Sequence, residues 1–344
     1  MPSDASIDAS AQTSATDPAE AREAGRWNFR PETPLAENPL FLWPPRPLEI
    51  LRWYAAFWFE ISTTTLCLVI ALLAYLLILP PLAEMQVLAW GWVLKVWVAN
   101  FVPQVICAGS LHYWLIMRKG QGDTTKYDPR DQARNNGTFT FGNQVHDNMF
   151  WHIASGITLW SAAQVLVFWA MANGVAPAML YPGENPIWFV AFFILIPIWS
   201  SLHFYWIHRA LHWPPLYKLA HALHHRNVNV GPWSGISMHP VEHLLFYTTF
   251  LIFLVVPTHP LHVLFLGYFQ STHPVFSHSG FEDIVVKDKR QLKAGVFFHQ
   301  LHHRYFECNY GTVEMPWDRW FGSYHDGSAQ ATDETRARKK QMYT

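Results

Sequence analysis

The chain has 344 residues, of which 51% are hydrophobic, 16% aromatic and 14% charged, against about a quarter charged in soluble domains. Its 24 Lys+Arg nearly cancel 25 Asp+Glu, so no overall field holds nucleic acid, and three scattered cysteines exclude a disulfide framework or a Cys-based metal site. The outstanding feature is 19 histidines, fifteen of them between His203 and His303.

Residues 1–45 are rich in Ala, Ser, Asp, Thr and Pro without apolar periodicity, which predicts a disordered tail. They lack the basic-then-apolar order of a signal peptide. Four apolar stretches follow near 57–79, 96–117, 149–172 and 187–207, each close to the ~20 residues a membrane helix needs. Basic residues sort around them. Five precede the first stretch (Arg22, Arg26, Arg30, Arg46, Arg52) and five lie in 118–134 (Arg118, Lys119, Lys126, Arg130, Arg134). Thirteen follow the fourth, while the other two connections hold only Lys95. Positive loops mark the cytoplasmic side. The expected fold is therefore an all-α, multi-pass membrane protein of four transmembrane helices, with the N-terminus, the histidine-rich cap and the C-terminus cytoplasmic. Residues 46–325 form its integral-membrane domain and 326–344 a polar tail.

The apolar region 244–270 is broken by Pro257-Thr258-His259-Pro260. A shallow hairpin that returns to its starting face keeps the histidines before and after it together, whereas a single span would separate them by ~30 Å of hydrocarbon. His259 and His262 then fall at a Pro-bracketed tip and read as a wet turn.

His208 and His212 are i, i+4 and share one helical face. His221-Ala-Leu-His224-His225 repeats as His299-Gln-Leu-His302-His303, and His239-Pro240-Val-Glu242-His243 gives another i, i+4 pair, with Pro240 suited to a first helical turn. A helix that aims imidazoles at one locus is the arrangement metal coordination requires. One zinc takes four ligands, so eight histidines in three clusters suit two ions. The candidate ligands are His208, His212, His221, His224, His225, His299, His302 and His303, with His239, His243 and His278 as ligands or supports. His203 lies about 140° round the helix from His208 and is left open. Single histidines such as His112, His146 and His152 read as interfacial or core side chains.

These residues resemble the fatty acid hydroxylase/sterol desaturase family of membrane di-iron enzymes, from about Trp199 to His325. Tyr205-Trp-Ile-His-Arg-Ala-Leu-His212 is similar to the family's first histidine box, His221–His225 to its second, and Phe276-Ser-His278-Ser-Gly280 to the short motif between boxes. His299–His303, followed by Cys308-Asn-Tyr-Gly311 and Trp317-Asp-Arg-Trp-Phe-Gly-Ser323, is similar to the third box and its trailing signature. The layout is most similar to sterol carbon-5 desaturases, which share the His239-Pro240 step. Two departures stand out: Trp213 replaces a second histidine at the end of the first box, and His243 falls where relatives often carry a small residue.

The resemblance implies two iron ions, O2 as co-substrate, and desaturation or hydroxylation of an unactivated C–H in a membrane lipid, sterol-like or fatty-acyl. Glu242, Glu282, Asp283 and Asp318 are candidates to hold the ligands' second ring nitrogens. No nicotinamide, flavin or Fe–S pattern is present, because Gly120-Gln-Gly122 lacks the third glycine. Electrons are thus expected from an external donor, a ferredoxin or a small haem cytochrome with its reductase. Two rivals remain. A histidine-rich metal-binding or transport protein would place ionisable groups along its spans, and a zinc hydrolase would show His-Glu-x-x-His, which is absent.

Overall fold

The computed structural model describes residues 17–59 and 62–343. Its helices in chain order begin with α1 (Pro18–Ala24), α2 (Pro47–Phe59) and α3 (Thr63–Leu77). Three long helices follow: α4 (Trp90–Met117), α5 (Gln144–Ala172) and α6 (Pro186–Leu211). Residues 214–225 form α7; then come α8 (Pro240–Leu254), α9 (Pro260–Ser277), α10 (Phe297–Tyr305), α11 (Trp317–Trp320) and α12 (Ala329–Tyr343).

At 28, 29 and 26 residues, α4, α5 and α6 are long and apolar enough to cross a membrane. The stretch expected as the first span is instead the bent pair α2 and α3, meeting at 40°. Local chemistry sets the boundaries. Asn143 accepts from the amides of Val145 and His146 to open α5, and Asn185, followed by Pro186, accepts from Trp188 N at 3.1 Å to open α6. Leu94, Val98, Val102 and Ile106 are exposed at four-residue spacing, a continuous apolar stripe on one face of α4. Such a stripe wants lipid, not water.

The centre of the bundle is α9. Its residues from Pro260 to Thr272 are all buried, and it packs on α3, α4, α5 and α6. Tyr268 Oη donates to the Ala99 carbonyl at 2.8 Å and Gln104 Nε2 to that of Ser271 at 2.9 Å, which ties α9 to α4. Gly267 permits its closest approach to α5: an added Cβ would stand 2.3 Å from Trp160 Nε1 and 2.4 Å from Gln164 Nε2.

The α8–α9 hairpin returns to the histidine side, as anticipated, but it is not shallow. Its 18-residue second arm is about 27 Å long at 1.5 Å per residue. Its tip meets the opposite end of the bundle, where Trp188 Nε1 donates to the Pro257 carbonyl at 2.8 Å and Met179 N to that of Thr258 at 2.9 Å. His259 and His262 do sit at this tip, yet both are buried. His262 Nε2 donates to the Phe189 carbonyl at 2.9 Å and its ring packs on Phe192 and Phe193, so the wet turn is a dry one.

Three further differences concern the histidine end. The all-α reading missed an antiparallel hairpin, β1 (Asp283–Val286) and β2 (Lys289–Lys293), turned by Lys287 and Asp288 at φ 50° and 58°. Of the tail expected to be disordered, residues 1–16 lie outside the described residues, but 17–45 form a strap. Trp27 packs edge-on to Phe297 at 4.9 Å, the Tyr305 hydroxyl donates to buried Glu23, and Asn38 Nδ2 donates to the Glu314 carbonyl at 2.9 Å. The expected polar tail is α12, which buries Thr332 and Thr335.

Replacing Gly267 by Ala should cost about 1–3 kcal/mol, the range for overpacking a filled interior. Thermal unfolding in detergent, compared with the unsubstituted chain, checks this.

Candidate metal centre

Four elements bring nine histidines together. The end of α6 supplies His208 and His212, α7 supplies His221, His224 and His225, the end of α9 supplies His278, and α10 supplies His299, His302 and His303. All nine are buried. They divide into His208, His212, His221, His225 and His302 on one side and His224, His278, His299 and His303 on the other, the potential ligand atoms of each group lying within 4.8 Å of one another. Each five-residue box feeds both groups. His221 and His225 enter the first and His224 the second; His299 and His303 enter the second and His302 the first. The groups adjoin, with the His225 and His303 ring centroids 5.0 Å apart.

The outer ring nitrogens show how these side chains are aimed. Nδ1 of His208 donates to the Tyr310 carbonyl at 2.6 Å, of His302 to Cys308 at 2.6 Å, of His278 to Pro274 at 2.9 Å and of His224 to Ser237 at 3.3 Å. His221 Nδ1 donates to Glu242 Oε1 at 2.7 Å. A carbonyl or carboxylate can only accept, so these five rings carry their proton on Nδ1 and present the Nε2 lone pair inward. Burial and neighbouring imidazoles hold His212, His225, His278, His299, His302 and His303 well below the usual imidazole range. Burial lowers His221 to about 3 and His224 to about 4. The rings are neutral at physiological pH, the form that binds a metal.

The inward nitrogens fit a metal and little else. Nε2 atoms of His278, His299 and His303 form a triangle with 3.1 Å sides, and His225 Nε2 stands 3.1 Å from that of His212 and 3.0 Å from that of His302. The Nδ1-protonated rings of His278 and His302 have no proton on Nε2 to give these neighbours. Around an ion with about 2.1 Å bonds at right angles, neighbouring nitrogens stand about 3.0 Å apart. The inward Nε2 atoms of His208 and His221 have no partner among the described residues, the condition a buried polar atom avoids unless something else satisfies it.

His239 and His243 are not brought to either group. His239 caps α8 through Val241 N at 3.2 Å. His243 has both nitrogens engaged elsewhere, Nδ1 with Ser155 Oγ at 2.8 Å and Nε2 with the Ile236 carbonyl at 3.1 Å. His203 bonds Thr248 Oγ1 at 2.8 Å. Of the four carboxylates, only Glu242 reaches a clustered ring. Asp318 acts one step back, accepting from Tyr310 N at 2.8 Å and Gly311 N at 2.7 Å, which fixes the carbonyl that holds His208. Glu282 accepts from Tyr127 Oη at 2.5 Å and Asp283 pairs with Arg290 at 2.8 Å, both within the β-hairpin region. Sequence reading missed Glu307, which is buried with Oε1 3.6 Å from His212 Nδ1 while Oε2 accepts from Tyr310 Oη at 2.6 Å. Its place beside the third box was the only signal.

His208, His221, His224, His278 and His299 also line a cavity of about 90 Å³ whose other walls include Phe204, Ile207, Leu211, Met238, Phe246 and Phe269. Imidazoles from both adjoining groups thus face one apolar chamber. Residues 192–323 match the model of the fatty acid hydroxylase family. The chain is similar to Delta(7)-sterol 5(6)-desaturases. That of Eremothecium gossypii is 31% identical over 153 residues, covering 44% of this chain and 42% of the relative. That of Candida albicans is 31% identical over 163 residues (46% and 40%), and that of Saccharomyces cerevisiae 35% identical over 121 residues (35% and 32%). The chain therefore spans less than half the length of these relatives. No solved structure matches it.

His302→Ala should lower bound metal by about one ion per chain, whereas His243→Ala should leave metal content unchanged, as measured by plasma mass spectrometry on purified protein. Glu242→Gln, which keeps an acceptor but removes the charge facing His221, should weaken metal affinity by about 10-fold or more in a chelator titration.

Proposed function

We propose that the chain is an oxygen-dependent oxidoreductase that desaturates or hydroxylates an unactivated C–H of a membrane lipid, sterol-like or fatty-acyl, with one iron held by each histidine group. The supporting observation is the pair of adjoining all-imidazole groups on the floor of an apolar cavity. Imidazole suits iron, zinc and copper alike, and the relatedness to sterol desaturases favours iron. When bound, the metal pair supplies the oxygen activation that no side chain can perform.

The protein's own part is binding and exclusion. Phe204, Phe246 and Phe269 hold an apolar chain and keep water away from the ring nitrogens. Polar groups interrupt that wall: Ser200 Oγ donates to Gln270 Oε1 at 2.6 Å, and Thr312 and Glu314 also line the cavity. With Nε2 given to the metal and Nδ1–H to a carbonyl or carboxylate, the rings of His208, His221, His224 and His278 would have no free site for a proton, so proton supply falls to water or to groups at the cavity rim. Three free cysteines at scattered sites hold no cluster, so electrons come from an external carrier, a ferredoxin or a small haem cytochrome with its reductase. Residues 46–325 are the catalytic membrane domain, and the sorting of basic residues puts the histidine end in the cytoplasm.

Lipid extracts from cells with and without the chain, compared by mass spectrometry under air and under nitrogen, test the reading. An oxygen-dependent loss of two hydrogens marks a desaturase and a gain of one oxygen a hydroxylase. Tightly bound metal without either product would mark a metal-binding protein instead. A reporter fused after Thr344 should be active in the cytoplasm, and a signal from the opposite side would reverse the orientation.

A further inference from the structure

The histidine pair has two faces. Five rings line the cavity, while His212, His225, His302 and His303 turn away from it. On that second face the first group is covered by two half-buried aromatic side chains. The Tyr217 ring lies 5.7 Å from His212 and 5.8 Å from His225, and the Phe306 ring 4.9 Å from His225. Exposed Lys339, from α12, sits over Phe306 with Nζ 4.3 Å from the ring centroid, and exposed Lys218 follows Tyr217. Phe306 occupies φ 73°, ψ −58°, a region that a non-glycine residue enters only when its surroundings hold it there. Its amide donates to the His302 carbonyl at 2.7 Å, so the strained residue closes α10 and sets its ring between His225 and solvent.

We propose that this face, centred on Phe306 and Tyr217 and rimmed by Lys218 and Lys339, is the docking surface of an acidic one-electron carrier protein. The proposal rests on the oxidase reading, which creates the need. Desaturation consumes two C–H hydrogens, O2, two electrons and two protons and yields C=C and two waters; hydroxylation takes the same electrons and protons and yields C–OH and one water. Two reduced carriers each give up one electron per turnover. The cavity side is committed to the lipid, so the carrier must approach elsewhere. At Phe306 a single ring separates His225 from the surface. Exposed lysine ammonium groups attract an acidic partner and speed its encounter. Of the neighbouring carboxylates, Asp333 pairs with Arg336 at 3.7 Å and Glu307 is buried beneath, while Glu334 keeps its charge and accepts from the Gln330 amide at 2.8 Å.

The test uses the full chain in lipid nanodiscs and two probes, an acidic [2Fe–2S] ferredoxin and an acidic small haem cytochrome. For at least one probe, the double variant Lys218→Glu/Lys339→Glu should raise Kd about tenfold or more and flatten its salt dependence. Metal content and melting temperature should stay at wild-type values. Lys289→Glu, on the β-hairpin, should leave Kd unchanged. Carbodiimide cross-linking followed by peptide mass spectrometry should join carrier carboxylates to Lys339 or Lys218. Wild-type Kd in the double variant, cross-links confined to other lysines, or no binding of either probe to the wild-type chain would overturn the docking surface. The oxidase reading is judged separately, by the oxygen-dependent lipid product in whole cells.

Discussion

Burying nine imidazoles against one another is the demand around which the histidine half of this molecule is organised. A buried ring with an unanswered nitrogen is costly, and here every ring has two nitrogens to account for. The inner ones converge on two points. Four of the nine outer ones are met by backbone carbonyls, Tyr310 and Cys308 after the third box, Ser237 before α8 and Pro274 within α9, and a fifth by Glu242. The irregular run after Tyr305, with positive φ at Phe306 and Asn309, is the backbone bending to deliver those carbonyls. Asp318 then pins the run from behind.

The membrane half answers a different demand. The cavity floor lies at one end of the bundle, yet the hairpin that carries His278 runs to the other end and back. The deep α9, buried throughout from Pro260 to Thr272, anchors His278 to the middle of the protein. It also gives the cavity an aromatic wall that continues into the bundle. The polar contacts that fix α9, from Gln104, Tyr268 and Cys67, lie where no water competes for them.

Much of the site was legible because helical spacing is a geometric rule. The pairs at i, i+3 and i+4 announced that His208, His212 and the two repeated boxes would converge. Spacing alone did not say that His224 would part from His221 and His225, or His302 from its neighbours, because i+3 and i+4 straddle a face and the partner helix decides which side each one serves. The same signal misled at His239 and His243, where Ser155 of α5 faces the second ring. His259 and His262 read as solvated because polar residues beside prolines usually are; Phe189, Phe192 and Phe193 from the start of α6 made the tip dry. The strap at 17–45 was hidden by its composition, in which a few anchors, Glu23, Trp27 and Asn38, do the attaching. The β-hairpin is too short and too charged to leave a periodic trace.

The strap has a consequence for biosynthesis. The hydrogen bond between Glu23 and Tyr305 joins residues 282 positions apart. At about 5–20 residues per second, a ribosome makes the Tyr305 end roughly 15–60 s after the Glu23 end. Through that interval the N-terminal segment waits in water beside a growing membrane bundle, holding a tryptophan and a carboxylate whose binding place has not yet been made. When α10 emerges, it brings the third histidine box together with the partners of Glu23 and Trp27, Tyr305 and Phe297, in the same nine residues. Completion of the histidine cluster and the first capture of the N-terminus by α10 are thereby timed together, ahead of the contacts that α12 adds.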